Sequence, residues 1–175
     1  MRRMRVLVLM HKDLVPPEQL NGQDLDTAAW KTEYDVVSTL RKLGHDVQAL
    51  GVKSDLEVIR AAVEDWKPHI AFNLLEEFDG VAVYDQNVVS YLELMRIPYT
   101  GCNPRGLMLA RDKALAKQVM SYHRIPYPEF MVVPLHRMVR RPKYLPFPLI
   151  VKSITEEASL GISQASIVDD DAKLR

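Results

Sequence analysis

Short apolar runs alternate with segments of helical periodicity through roughly the first hundred residues, and this alternation restricts the fold more than any other feature. Three runs have the length of strands: 5–10, 46–52 and 69–75. The segments 26–43 and 54–66 between them repeat apolar residues at helical spacing, and the spacing returns from Val88 to Met95. Strands that alternate with helices indicate a parallel sheet covered by helices. The sequence therefore predicts an α/β fold.

Local signals predict where these helices begin and end. Ser54 and Glu57 have the spacing of a capping box, which places the start of the second helix at Ser54. Gly44 is placed to end the first helix. Asp112 is expected to cap a further helix over 112–123.

The composition changes after residue 124, where prolines become frequent. Short strands are predicted at Glu129–Val133 and Leu149–Val151, and the second strand delivers Lys152 to the polar loop 153–161. A new apolar run begins at Ile162, so the pattern favours a hairpin. A loop of small residues closes over phosphates through backbone N–H groups, and a fixed lysine beside it adds positive charge. A lysine that extends from a sheet edge to water is the alternative.

Bulk properties exclude several classes of protein. The chain has 175 residues with zero formal net charge, so no global attraction to nucleic acid or to an anionic membrane follows. No apolar stretch has the length of a membrane span. The single cysteine excludes an internal disulfide framework and suits a reducing compartment, so a cytoplasmic protein is expected. Neither a P-loop motif nor a dinucleotide-binding glycine fingerprint is present.

Charged residues at element ends are the candidate binding residues. Lys113 follows Asp112 at a helix N-terminus, where a cation is locally unfavourable, so an anionic partner is one reading and a solvated lysine the other. Glu76 and Glu77 follow the third predicted strand, at the edge where open α/β sheets bind ligands. They are placed to hold a substrate ammonium group or to form a solvated loop. His11 follows the first predicted strand and is a candidate binding residue for the same reason.

Four segments together resemble a known family: Tyr91–Gly101, Arg111–Lys117, Pro148–Lys152 and Ala158–Gly161. They look like the N-terminal portion of D-alanine–D-alanine ligases, members of the ATP-grasp superfamily. The resemblance implies a Rossmann-like parallel-sheet domain over 1–102 and linking helices over 103–123. It also implies that 124–175 form the first, incomplete part of an α+β ATP-grasp domain.

The resemblance further implies ATP-dependent ligation of a carboxylate to an amine through an acyl phosphate. Lys113 and Lys152 match the two lysines that contact ATP phosphates, and Ser159, Leu160 and Gly161 match the mobile loop over them. Mg²⁺ is implied as a second cofactor, with its ligands beyond residue 175, so these 175 residues alone are expected to be inactive. A small amino acid or peptide substrate and a homodimer are also implied.

The chain departs from the family pattern where the family binds its amino acid. The family has a Ser-x-Glu after the first strand, and this chain has His11–Pro17 there. The family has Asn-x-Leu-His-Gly after the third strand, where this chain has Asn73–Glu77 without a histidine. ATP use is therefore better supported than specificity for D-alanine. A non-catalytic Rossmann-like binding module with a degenerate ATP-grasp remnant, and a peptide- or glutathione-type ligase, are the alternatives.

Overall fold

The computed structural model describes residues 2–19, 24–156 and 162–174. The chain divides into two compact units, Met1–Leu107 and Met108–Arg175. The domain boundaries predicted from the sequence, at residues 102 and 123, stay a prediction.

A three-stranded parallel sheet organises the first unit. Its strands are β1 (Arg5–His11), β2 (Asp46–Val52) and β3 (Ile70–Asn73), in the order β2-β1-β3. In the register of the sheet, Val6 of β1 lies beside Val47 on one side and Ile70 on the other. A single parallel bridge joins Ala71 to Tyr99. The predicted α/β fold with a parallel sheet is confirmed.

Helices connect and cover these strands: α1 (Lys31–Lys42), α2 (Glu57–Trp66) and α3 (Asp85–Leu94). Short 3₁₀ turns lie at Lys12–Leu14 and Ala82–Tyr84. The helix α4 begins at Pro104 and ends at Arg111, across the division between the two units.

Side chains alternate between the faces of β1, and this alternation creates two apolar cores. Leu7 and Leu9 pack with residues of α2 and α3, including Ile59 and Leu92. Val6, Val8 and Met10 point to the opposite face and pack with Val37 of α1. Because both faces of β1 are covered, the strand is apolar along nearly its whole length, as expected of a buried parallel strand.

Two predicted helix starts are wrong. The helix expected from residue 26 begins at Lys31, and the capping box at Ser54 does not form. The helix α2 begins at Glu57, whose backbone N–H donates at 2.8 Å to Oδ1 of Asp55. Asp55, the neighbouring short acceptor, therefore takes the role predicted for Ser54. The predicted end of α1 is confirmed, since Gly44 follows it with a φ of +85°.

The second unit contains helix α5 (Lys113–Tyr122), the antiparallel pair β4 (Leu149–Ile150) and β5 (Ile167–Val168), and the short helix α6 (Asp171–Leu174). The antiparallel β4–β5 pair agrees with the predicted hairpin, but the second strand begins at Ile167 and not at Ile162, and residues 157–161 of the predicted loop lie outside the described residues. The predicted strand Glu129–Val133 is wrong, because those residues are irregular. The neighbouring Pro128 and Pro134 lack the N–H that a paired strand uses.

In the described part of the chain, no helix is both long enough and apolar enough to cross a bilayer.

Candidate functional site

The carboxyl ends of β1 and β3 lie side by side in the first unit, where Leu9 pairs with Asn73. From β1 the chain runs to β2 on one side of the sheet, while β3 pairs with β1 on the other side. Ligands of open α/β sheets bind where neighbouring strands diverge in this way. His11 is the last residue of β1, and Glu77 lies shortly after the end of β3. This topology therefore brings together two side chains that are far apart in the sequence.

His11 and Glu77 are in direct contact, with Nε2 of the imidazole 3.1 Å from Oε1 of the carboxylate. The other ring nitrogen, Nδ1, accepts the backbone N–H of Asp13 at 3.2 Å. Because Nδ1 accepts, this hydrogen-bond network assigns the ring proton to Nε2, which donates to Glu77. The imidazole therefore lies between the backbone of Asp13 and the carboxylate of Glu77.

The second carboxylate oxygen of Glu77, Oε2, does not take part in the contact with His11. Oε2 is buried and has no hydrogen-bond partner among the described residues. About a quarter of the Glu77 side chain is exposed. A buried acceptor without a partner costs free energy, and a ligand that donates a hydrogen bond removes that cost. Of the two predicted acids, Glu77 is the one that contacts His11, whereas Glu76 is exposed.

A tight turn fixes the loop that carries Glu77. Phe78 and Val81 pair across Asp79 and Gly80, both of which have positive φ, of 55° and 73°. Two consecutive left-handed residues are typical of a type I′ turn, for which Asp-Gly is a favoured sequence. The N–H of Asp79 also donates to the carbonyl of Lys53 at 2.7 Å. The loop is therefore attached to the chain just beyond β2.

The two predicted phosphate-binding lysines belong to the second unit, where the start of α5 contacts the segment after β4. The backbone N–H of Lys113 donates to the carbonyl of Ile154 at 3.2 Å, and its ammonium donates to the same carbonyl at 3.3 Å and to the carbonyl of Glu156. Lys152 is exposed and lies two residues before Ile154. Since successive Cα atoms are about 3.8 Å apart, Lys113 lies beside the segment that carries Lys152.

The donors at this helix start are partly occupied. Asp112 caps α5 by accepting the N–H groups of Ala114 and Leu115 at 3.0 and 2.9 Å. An ammonium has three donors, and the two carbonyls account for two of those of Lys113. One donor of Lys113 and the exposed ammonium of Lys152 therefore suit an anion such as a phosphate. Ser159, Leu160 and Gly161 lie outside the described residues.

No candidate magnesium site is found in the part of the chain that the structure describes. No group of three or more histidine, cysteine, aspartate or glutamate side chains is arranged there to hold a metal ion.

The contact between His11 and Glu77 is a feature that sequence reasoning missed, although it singled out both residues. The neighbour relation of β1 and β3 determines the contact, and no local pattern encodes it. The Asp79-Gly80 pair was a usable signal for the turn that fixes Glu77.

Comparison with known proteins gives one consistent group, although no family model matches the chain. A D-alanine–D-alanine ligase from Acidiphilium cryptum is 33% identical over 127 residues, 73% of this chain and 40% of the relative. The ligase of the same name from Pseudomonas entomophila is 34% identical over 132 residues, again 40% of the relative. An uncharacterized protein of Sinorhizobium fredii, y4sG, is 29% identical over 147 residues, 80% of this chain and 41% of the relative.

A solved structure supports the fold. The D-alanine–D-alanine ligase from Bacillus anthracis, complexed with ATP, superposes with a TM-score of 0.66 at 21% identity and covers 98% of this chain. The match takes in 52% of that ligase, and the chain spans about 40% of the curated relatives' length.

Proposed function

We propose that this chain, which is a D-alanine–D-alanine ligase-like protein of the ATP-grasp superfamily, is part of an ATP-dependent ligase that joins a carboxylate to an amine. The observation that supports ATP use most directly is the contact of Lys113 with the segment that carries Lys152. The relatives' names and the ATP complex of the structural neighbour agree with it.

ATP would supply the phosphoryl group that activates the carboxylate. The role we propose for Lys113 and Lys152 is to bind and neutralise its phosphates, because phosphoryl transfer depends mainly on positioning and on stabilisation of charge. We assign Ser159, Leu160 and Gly161 to the loop over the phosphates. The Mg²⁺ ligands are expected beyond residue 175.

The amino-acid end of the reaction is assigned to His11 and Glu77. In the family pattern a glutamate follows the first strand and a histidine follows the third. Here the histidine ends β1 and the glutamate follows β3, and the two side chains are in contact. The same two chemical groups are thus present with exchanged positions. Glu77 Oε2 is suited to accept a hydrogen bond from a substrate ammonium group. Glu76 is assigned to the exposed edge of the same site.

The substrate is therefore proposed to be a small amino acid or a peptide with a free ammonium group. A cytoplasmic location and a homodimer belong to the same proposal.

ATP titration by calorimetry tests the nucleotide assignment. The double variant Lys113→Ala with Lys152→Ala should bind ATP about a hundredfold more weakly or worse, because it loses two charged hydrogen bonds that contribute ~1.5–3 kcal/mol each. Lys117→Ala is the matched control, because Lys117 lies one turn along α5 and its ammonium rests over the ring of Phe130 at 4.8 Å. Equal affinity of the wild type and the double variant would show that both lysine assignments are wrong.

Binding of D-alanine, L-alanine and a dipeptide tests the amino-acid end. Glu77→Gln keeps the shape of the side chain and removes its charge, so we expect it to lower the affinity for an ammonium ligand about tenfold or more while ATP affinity stays unchanged. Retention of amino-acid affinity in this variant would remove Glu77 from the proposal. ATP binding without any amino-acid binding would favour a nucleotide-binding module.

A further inference from the structure

We propose that Gly51 is a positioning residue for the pair formed by His11 and Glu77. It acts by leaving room for the backbone turn that holds the His11 imidazole. The importance of the pair for a substrate rests on the proposed function, whereas the effect of Gly51 on His11 is measurable without any ligand.

The end of β2 lies unusually close to the chain that leaves β1. A Cβ atom at Gly51 would lie 2.7 Å from Cγ2 of Val15 and 3.0 Å from Cα of Lys12. One of these is backbone, so a side chain at position 51 displaces the turn itself. The φ of Gly51 is not in the left-handed region, so the glycine is required for space and not for its backbone conformation. Glycine inside a strand often marks such a close approach.

The displaced segment is the one that orients His11. The 3₁₀ turn Lys12–Leu14 follows His11 directly, and His11 caps it by accepting the N–H of Asp13 at Nδ1. In the sheet, Gly51 lies beside Met10 and the next residue lies beside His11. Movement of Lys12 away from Gly51 therefore moves the Asp13 N–H, which is the group that assigns the imidazole proton to Nε2.

The contact with Glu77 has little tolerance for that movement. The distance from Nε2 to Oε1 is 3.1 Å. Hydrogen bonds of this kind weaken beyond roughly 3.2 Å and are absent by about 3.6 Å. A shift of a few tenths of an ångström at the turn is therefore enough to loosen both hydrogen bonds of the ring. Gly51 thus controls the orientation and hydrogen bonding of the pair without touching it.

Nitrogen-15 NMR of the His11 imidazole is the direct test. The wild type should show the Nε2–H tautomer, and Gly51→Ala should shift it toward a mixture of tautomers. Val15→Ala removes Cγ2, the nearest obstacle, so the double variant with Gly51→Ala should recover part of the wild-type signature and keep a residual shift, because Cα of Lys12 still lies 3.0 Å from the added Cβ. Val15 is 38% exposed, so its own substitution is a mild control.

A second glycine separates positioning from stability. Gly44 has a φ of +85°, and no atom lies within 4 Å of the place that a Cβ would take there. Gly44→Ala therefore strains the backbone at a position that is not in contact with the pair. It should lower stability and leave the His11 signature unchanged. If Gly51→Ala does not fold, the residual shift expected in the double variant with Val15→Ala carries the comparison with Val15→Ala alone. A wild-type His11 spectrum in Gly51→Ala, or a wild type that lacks the Nε2–H tautomer, would overturn the proposal.

The ligand readout keeps the two proposals distinguishable. Gly51→Ala should weaken binding of an ammonium ligand about tenfold and leave ATP affinity unchanged. If the amino-acid assignment of Glu77 is wrong, no ligand effect appears, but the tautomer change in Gly51→Ala and its partial recovery in the double variant remain.

Discussion

Lys113 makes two hydrogen bonds to one carbonyl, that of Ile154, from its backbone N–H at 3.2 Å and from its ammonium at 3.3 Å. The start of α5 and the segment after β4 are therefore attached through a single residue. Asp112 fixes the helix start itself, through the N–H groups of Ala114 and Leu115. The geometry of Lys113 consequently depends on the cap that precedes it.

Asp112→Ala should lower the free energy of unfolding by about 1 kcal/mol, the usual cost of losing a side-chain cap. Because the first turn of α5 then frays, ATP affinity should fall as well. Urea denaturation and ATP titration measure the two effects. Asp112→Ser keeps a cap acceptor and is the control. An alanine variant as stable as the serine variant would contradict the role of the cap.

His11→Asn should separate the two hydrogen bonds of His11. The asparagine oxygen is able to accept the Asp13 N–H, as short side chains do at N-caps, but its side chain is too short to reach Glu77. We expect a melting temperature close to that of the wild type with weakened binding of an ammonium ligand. His11→Ala should lose both properties. Equal ligand affinity in His11→Asn and the wild type would show that the contact with Glu77 is not needed.

Tyr99 predicts how stability depends on alkaline pH. Burial, followed by the hydrogen bond from its hydroxyl to Glu93 at 2.7 Å, raises the pKa of Tyr99 to about 12 from 10.0. The folded state therefore favours the protonated phenol, and this stabilisation is complete below pH 10 and is lost as the pH rises toward 12. Chemical denaturation over this range should show a steeper decline for the wild type than for Tyr99→Phe. Parallel declines in the two proteins would contradict the prediction.

The start of α2 gives a matched pair of substitutions. Asp55→Ala should destabilise the protein by about 1 kcal/mol, because Oδ1 accepts the N–H of Glu57 at 2.8 Å. Ser54→Ala should change stability by no more than about 0.5 kcal/mol, as is usual for surface positions. Thermal unfolding of both variants measures the difference. The reverse order would restore the capping box at Ser54.

The strands and helices of the first unit could be predicted because their signal is local. The apolar runs that became β1 and β2 pack side chains on both faces of the sheet. Val37, Ile59 and Leu92 each belong to a different helix, and in each helix the apolar residues recur at helical spacing. Local signals did not predict the exact start of a helix where two neighbouring residues both carry a side-chain hydrogen-bond acceptor. Ser54 and Asp55 both carry a cap acceptor, and only the path of the backbone decides between them.

The candidate site could be predicted in its residues but not in its contacts. His11 and Glu77 were identified by their places after strands, yet their contact depends on β3 pairing with β1. The packing of Lys12 and Val15 over Gly51 is also a product of tertiary structure, since nothing in the run Asp46–Val52 indicates a neighbour that close. The irregular segment 129–133 has the apolar composition of a strand, and the prolines around it prevent pairing.

The central place of β1 in the order β2-β1-β3 has a consequence for synthesis on the ribosome. The first strand of the sheet to emerge carries five consecutive buried apolar residues, and one of its two partners follows more than sixty residues later. Until then an edge of β1 stays open to other nascent chains, which is the condition that favours aggregation. The yield of correctly folded protein should therefore depend on the speed of translation between β1 and β3.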